Sequence, residues 1–356
     1  MNGPVPMEGD KLAGTPAGAS NDASAAPTGG SVVSWRQELA EAIRDPAELL
    51  QILRLPPALL PDARRAAAAF PLLAPRGFVA RMRVGDVHDP LLRQVLPLGE
   101  ECLEVPGFSQ DPLAETACGP QPGLLHKYQG RALLVTTGAC AVHCRYCFRR
   151  HFAYEDLPRG RRWWEAALGY VRADASIREI LLSGGDPLTL PDVQLAALAQ
   201  DLAEIPHLER LRVHTRLPVV LPSRVDDQLL GWLSGTRLAA IMVIHANHPA
   251  ELSDEVLAAC RRLRAAGVTV LNQSVLLRGV NDDANILAEL SQRLFAGGVL
   301  PYYLHVLDPV AGAAHFMVED EGARALHAAL SALLPGYLVP RLVREEPGQP
   351  GKTPLR

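Results

Sequence analysis

From residue 131 onward the chain switches repeatedly between two hydrophobic periods, and this switching limits its possible folds more than any other feature. Short apolar runs at 132–136, 179–183, 211–215, 240–245, 268–275 and 302–307 read as strands. Between them lie amphipathic stretches of helical length at 163–172, 191–203, 254–266 and 284–295, and a last helix is predicted over 320–333. Strands joined through helices pair in parallel by right-handed crossovers. The predicted class is therefore α/β, with the sheet either open and doubly wound or curled into a partial barrel.

In either arrangement, sites gather beyond the carboxyl ends of the parallel strands. The polar and glycine-rich residues fall there. Thr137-Gly138-Ala139-Cys140 follows the first strand, Gly184-Gly185-Asp186 the second and His214-Thr215-Arg216 the third. His245, Asn247 and His248 follow the fourth, the Gln273 region closes the fifth and Asp308 follows the sixth. Cys140, Cys144 and Cys147 are spaced so that one short loop can wrap three thiolates round a corner of a cubane iron–sulfur cluster, leaving one iron without a protein ligand. A structural zinc site takes four ligands, usually as two close pairs, and the sequence has no second cysteine pair. His143, beside Cys144 in the same loop, reads as a bystander. Cys102, Cys118 and Cys260 stand apart and read as ordinary thiols.

Three cysteines this close together in a large chain without a leader-like start argue for reduced thiols and a metal rather than disulfides. A net charge of -4 supplies no basic field, so neither nucleic acid nor an anionic membrane is an expected partner. No apolar run reaches the roughly 18 residues of a membrane span. A cytoplasmic protein acting on a small molecule is expected. Residues 1–30 hold hardly any large apolar side chain and are expected to be a disordered tail. Residues 31–83 read as an N-terminal helical segment in which Asp45-Pro46 starts a fresh helix. Residues 84–130 read as an extended connecting segment, 131–335 as the (β/α)6 core and 336–356 as a C-terminal segment.

The cysteine loop after the first strand and Ser183-Gly184-Gly185-Asp186-Pro187 after the second resemble the radical S-adenosylmethionine superfamily. That resemblance implies a TIM-like partial (β/α)6 barrel and a [4Fe–4S] cluster on Cys140, Cys144 and Cys147. S-adenosylmethionine would be chelated at the open iron and cleaved to a 5′-deoxyadenosyl radical, with Gly184, Gly185, Asp186 and Gln273 among the residues that bind it. Further segments narrow the resemblance to the lysine 2,3-aminomutase family over residues 84–356. They are His126-Lys127-Tyr128-Gln129-Gly130-Arg131, Pro218 to Pro222, Asn247-His248-Pro249, Gln273 to Asp282, and Pro301 through Asp308 to Phe316.

This family carries pyridoxal 5′-phosphate on a lysine in a glycine-rich segment, here Pro347-Gly348-Gln349-Pro350-Gly351-Lys352. Taken alone, a lysine four residues from the end reads as a frayed surface residue. The resemblance further implies that Lys127 and Arg131 hold the cofactor phosphate, that Arg149 binds the carboxylate of L-lysine, and that Asp308 and Glu345 hold its ε-ammonium group. Lys127 replaces a family arginine and Glu345 a family aspartate. Asp111-Pro112-Leu113-Ala114-Glu115, the cysteine loop through Phe152, and Leu304 to Asp308 are similar to the branch that makes (R)-β-lysine for modification of elongation factor P. A reductant of flavodoxin or ferredoxin type and a functional link to the elongation factor P lysylation enzyme follow as implied partners. Longer relatives continue into a zinc-binding extension, and the chain ends soon after Lys352.

Overall fold

The computed structural model describes residues 34–158, 160 and 162–355. The tail expected over residues 1–30 lies outside them. Among the described residues, nine strands form one sheet in chain order: β1 (Leu124–Tyr128), β2 (Arg131–Thr137), β3 (Glu179–Gly184), β4 (Arg210–Thr215), β5 (Ala239–Ile244), β6 (Thr269–Val275), β7 (Leu300–His305), β8 (Arg341–Arg344) and β9 (Thr353–Pro354). Neighbours from β2 through β8 pair in parallel, while β1 and β9 lie antiparallel at the two edges. A doubly wound sheet needs a reversal of strand order, and here there is none. Each strand lies beside its predecessor, so right-handed crossovers put the helices on one face and leave the other to line a hollow: a partial barrel.

The six strands expected from the apolar runs are β2 to β7, within a residue or two at most ends. The expected helices appear as Glu165–Ala173, Asp192–Ala203, Asp254–Ala265, Ala284–Ala296 and Asp320–Leu333. Within β4, period-two alternation sends Leu211 and Val213 into the core and turns Arg212 and His214 toward the hollow.

The N-terminal segment is helical, and its second helix, Pro46–Ile52, starts on Asp45, whose carboxylate accepts from Ala47 N at 2.9 Å. Its apolar side chains are not a separate core. Trp35, Leu49, Phe78 and Leu91 belong to the same buried cluster as Leu182, Leu211 and Met242. Phe78 is fully buried, and its truncation to alanine would cost about 3–5 kcal/mol. Among the described residues, no helix is long and apolar enough to cross a membrane.

Candidate active site

One cavity of about 500 Å³ opens within the barrel. Lys127, Arg131, Cys140, Cys144, Cys147, Arg149, Gly184, Gly185, Asp186, Gln273, Asp308, Glu345 and Lys352 all line it. Residues separated by more than two hundred positions thus meet in one cavity.

At the cysteine end, the loop after β2 is clamped from the N-terminal side. His143 N donates to Leu73 O at 2.9 Å and Arg145 N to Gln94 O at 2.9 Å. The Arg145 side chain, wholly buried, forks onto Glu101 at 2.8 and 2.6 Å and donates to Phe70 O at 2.8 Å. Arg150 joins the same carboxylate at 2.8 Å. The His143 imidazole lies against Pro71 O, with Nδ1 at 2.8 Å. Arg216, just past β4, places Nη1 2.7 Å from Cys144 Sγ and Nη2 2.6 Å from Gln94 and 2.9 Å from Glu251. Burial and the neighbouring Cys144 push the Cys147 thiol up to about 11, and burial with Cys147 and Asp186 raises Cys140 as well. Cys140 and Cys147 therefore favour the thiolate form only when cations or a metal centre compensate them. Among the described residues, no three His, Cys, Asp or Glu side chains converge on a point sized for a single metal ion.

The glycine turn after β3 packs against backbone. A Cβ on Gly185 would stand 2.3 Å from Ala139 O, and one on Gly184, at φ +128°, 2.6 Å from Thr137 O. Instead, Gly185 N donates to Thr137 O at 2.6 Å and Asp186 N to Ala139 O at 2.7 Å, stitching the turn to the cysteine loop. The Asp186 carboxylate accepts from Thr215 Oγ1 at 2.7 Å and Arg216 N at 2.7 Å, so it ties β3 to β4.

At the opposite end, five side chains of alternating charge form a chain. Arg149 forks onto Glu115 at 2.7 and 2.9 Å, Lys127 bridges Glu115 at 3.0 Å and Glu345 at 3.2 Å, and Glu345 meets Lys352. The lysine near the chain end is thus no frayed surface residue. β9 anchors it beside β8, and its side chain is 17% exposed. Burial opposes ionisation of Glu345, but Lys352 and Lys127 outweigh it and hold the carboxyl at about 2. Burial and the nearby Glu345 charge push Asp308 the other way, up to about 7. Arg131 stacks on the Tyr128 ring at 4.5 Å and has no ion-pair partner among the described residues.

Residues 134–290 match the model of the Radical SAM superfamily. The L-lysine 2,3-aminomutase of Escherichia coli is 50% identical, over 90% of this chain and 94% of its own length. That of Haemophilus influenzae is 48% identical, over 90% and 95%, and that of Clostridium subterminale 38%, over 76% of this chain and 65% of its own length. The chain belongs to the lysine 2,3-aminomutase family.

Membership makes the chain a radical S-adenosylmethionine isomerase and implies a [4Fe–4S] cluster, S-adenosylmethionine and pyridoxal phosphate. The cavity fits such groups. Besides three thiols on one wall, it buries Gln273 Oε1 and the Nε2 atoms of His214, His245 and His305 without a protein partner. Each would cost roughly 1–3 kcal/mol if it stayed unpaired. Burial and the Arg216 charge push His245 down to about 4, and burial beside Lys352 lowers His305 well below its ordinary range, so both are neutral near pH 7. Sequence reasoning gave neither Glu115 nor Arg216 a role in this aminomutase-family site. Position after β4 puts Arg216 on the rim without saying what it touches. Glu115 stands only within a segment of resemblance, and the single 3-10 turn that it opens, Glu115–Ala117, has no periodic signal.

Proposed function

We propose that the chain converts L-α-lysine to (R)-β-lysine, for post-translational modification of elongation factor P, as a pyridoxal-dependent radical S-adenosylmethionine lysine 2,3-aminomutase. The observation that carries the aminomutase reading is the placement of three thiols and a paired-acid lysine, Lys352, on the wall of one cavity with Arg149. The (R)-β-lysine branch rests on the segments around Glu115, the cysteine loop and Asp308 quoted above.

In this reading Cys140, Cys144 and Cys147 hold the cluster, and Gly184, Gly185, Asp186 and Gln273 shape the S-adenosylmethionine site. Lys352 carries the pyridoxal group, and Lys127 and Arg131 take its phosphate. When bound, the groups would supply radical chemistry and an electron-delocalising ring, which no side chain offers. The protein's own work is position and charge. Arg149 offers a planar fork to the substrate carboxylate. Asp308 and Glu345 receive the distant ammonium, and a substrate ending in a carboxylate would be repelled there. The unpartnered Gln273 and histidine atoms give polar ligand groups a place to pair without admitting bulk water.

Anaerobic incubation of the reconstituted protein with L-lysine, S-adenosylmethionine and dithionite should yield β-lysine, with the (R) isomer dominant on chiral analysis. A purely (S) product would favour a metabolic lysine 2,3-aminomutase instead. Failure to form any 5′-deoxyadenosine would point to a non-catalytic iron–sulfur or zinc-binding protein. Borohydride trapping should label Lys352, and a label elsewhere would refute its assignment.

A further inference from the structure

We propose that Glu115 is a positioning residue that sets two anion-binding cations at once, Arg149 for the substrate carboxylate and Lys127 for the cofactor phosphate. The proposal rests on the lysine-binding reading above. Glu115 Oε2 accepts from Arg149 Nε at 2.7 Å, while Oε1 accepts from both Arg149 Nη2 at 2.9 Å and Lys127 Nζ at 3.0 Å. Arg149 Nη1 also donates to Ser183 Oγ at 3.0 Å. Three of the five guanidinium N–H groups are thus taken, which leaves one on Nη1 and one on Nη2 to receive a carboxylate. The rotation that would otherwise make Arg149 a loose point charge is removed.

Two further observations point to a built feature. Ala114, immediately before Glu115, sits at φ +49°, ψ +42°, a left-handed conformation that a residue with a Cβ rarely adopts and that costs about 1 kcal/mol or more. The strain is held where it turns Glu115 inward, and Glu115 N is fixed by Asp111 Oδ1 at 2.9 Å. Glu115 is also 4% exposed, so its charge acts at short range without solvent screening. Burial disfavours the carboxylate, but Arg149 and Lys127 outweigh it and keep its pKa below the usual range. One buried anion therefore keeps two cations from repelling each other across the site. It also fixes the separation of the two groups that they bind.

The consequence is selectivity for the α-carboxylate, which can be read without turnover. The full-length protein, loaded with cluster and pyridoxal phosphate but given no S-adenosylmethionine, is titrated with L-lysine and with L-lysinamide. Binding is followed by the visible absorption of the pyridoxal group. For Glu115→Gln, lysine binding should weaken ~10–100-fold, the worth of a charge-assisted hydrogen bond, while lysinamide changes less than about threefold. Glu115→Asp, which keeps the charge, should recover part of the preference for lysine. Circular dichroism, iron content and pyridoxal content matching the parent protein would show that both variants are folded and loaded. Equal weakening for both ligands would reduce Glu115 to a structural role and overturn the proposal. So would tighter lysine binding by Glu115→Gln, which would mean that the carboxylate merely occupies the substrate's place. If the unaltered protein gave no lysine-dependent change, the lysine-binding reading itself would fall, and this proposal with it.

Discussion

At the cysteine end of the cavity, the groups that position the loop are wholly desolvated and tied to backbone: Arg145 and Arg150 converge on Glu101 at 0–2% side-chain exposure. At the amine end, Lys127, Glu345 and Lys352 keep 15–17% exposure, and they pair with one another and with Glu115. The difference fits the roles proposed for the two ends. A cluster ligand set is assembled once and has to exclude water, so a network whose members cannot exchange partners suits it. A substrate-and-cofactor end has to open on every turnover. Ion pairs at the cavity edge can hand their charges to a ligand and take them back. Disturbing the first end should therefore cost fold and iron, and disturbing the second should cost lysine handling alone.

The largest effect should come from Lys352→Ala, which is expected to abolish β-lysine formation and borohydride labelling while leaving iron content and the cluster spectrum unchanged. Loss of iron in that variant would break the comparison by showing the two ends to be one unit. Next is Glu101→Gln. It strands two buried guanidinium groups, and breaking a buried pair of this kind costs about 3–5 kcal/mol. Denaturant unfolding should reveal that loss, together with reduced iron retention. Asp308→Asn should leave iron retention unchanged but raise the lysine KM by ~30-fold or more, the cost of removing one partner from a desolvated charge pair. An equal loss of stability and affinity would erase the distinction between the ends.

The unequal legibility of the two ends in the sequence has the same origin. The strands β2 to β7 were readable because each buries a periodic apolar run, and the cysteine loop because three ligands fall within one turn of chain. Sheet closure was not readable from periodicity, since open and curled sheets share one hydrophobic pattern. β1, β8 and β9 were missed because they are short strands without alternation at the two sides of the sheet, yet Glu345 directly follows β8 and Lys352 directly precedes β9. The clamp formed by Gln94, Glu101 and Arg145 was invisible for another reason: polar and charged residues in a sequence read as surface. Only packing reveals that Arg145 and Glu251 are wholly buried. The amine end became legible through resemblance to a family, whereas its connecting anion, Glu115, became legible only through distances.

The smallest effect expected is a pH dependence confined to the amine end. Burial and the Glu345 charge set Asp308 at about 7, so below that pH it carries a proton and offers the substrate ammonium no charge. The lysine side chain, with an ordinary pKa of about 10.4, stays cationic throughout this range. Lysine affinity should therefore rise with pH, by less than tenfold per unit, and level off above about pH 7. Glu345, held at about 2, is already ionised and adds nothing to the slope. Stability of the ligand-free protein should move in the opposite direction. A carboxyl whose pKa is raised on folding contributes stability fully present below its unfolded value and lost as pH climbs through the folded one. Between about pH 4 and pH 7, Asp308 thus trades stability for a charge ready to receive lysine. Binding titrations and denaturant unfolding over that interval, repeated with Asp308→Asn, separate this from other titrations: the variant should flatten the affinity slope and the matching part of the stability slope. A slope in affinity that survives in Asp308→Asn would move the titrating group elsewhere and leave the amine end without its acid.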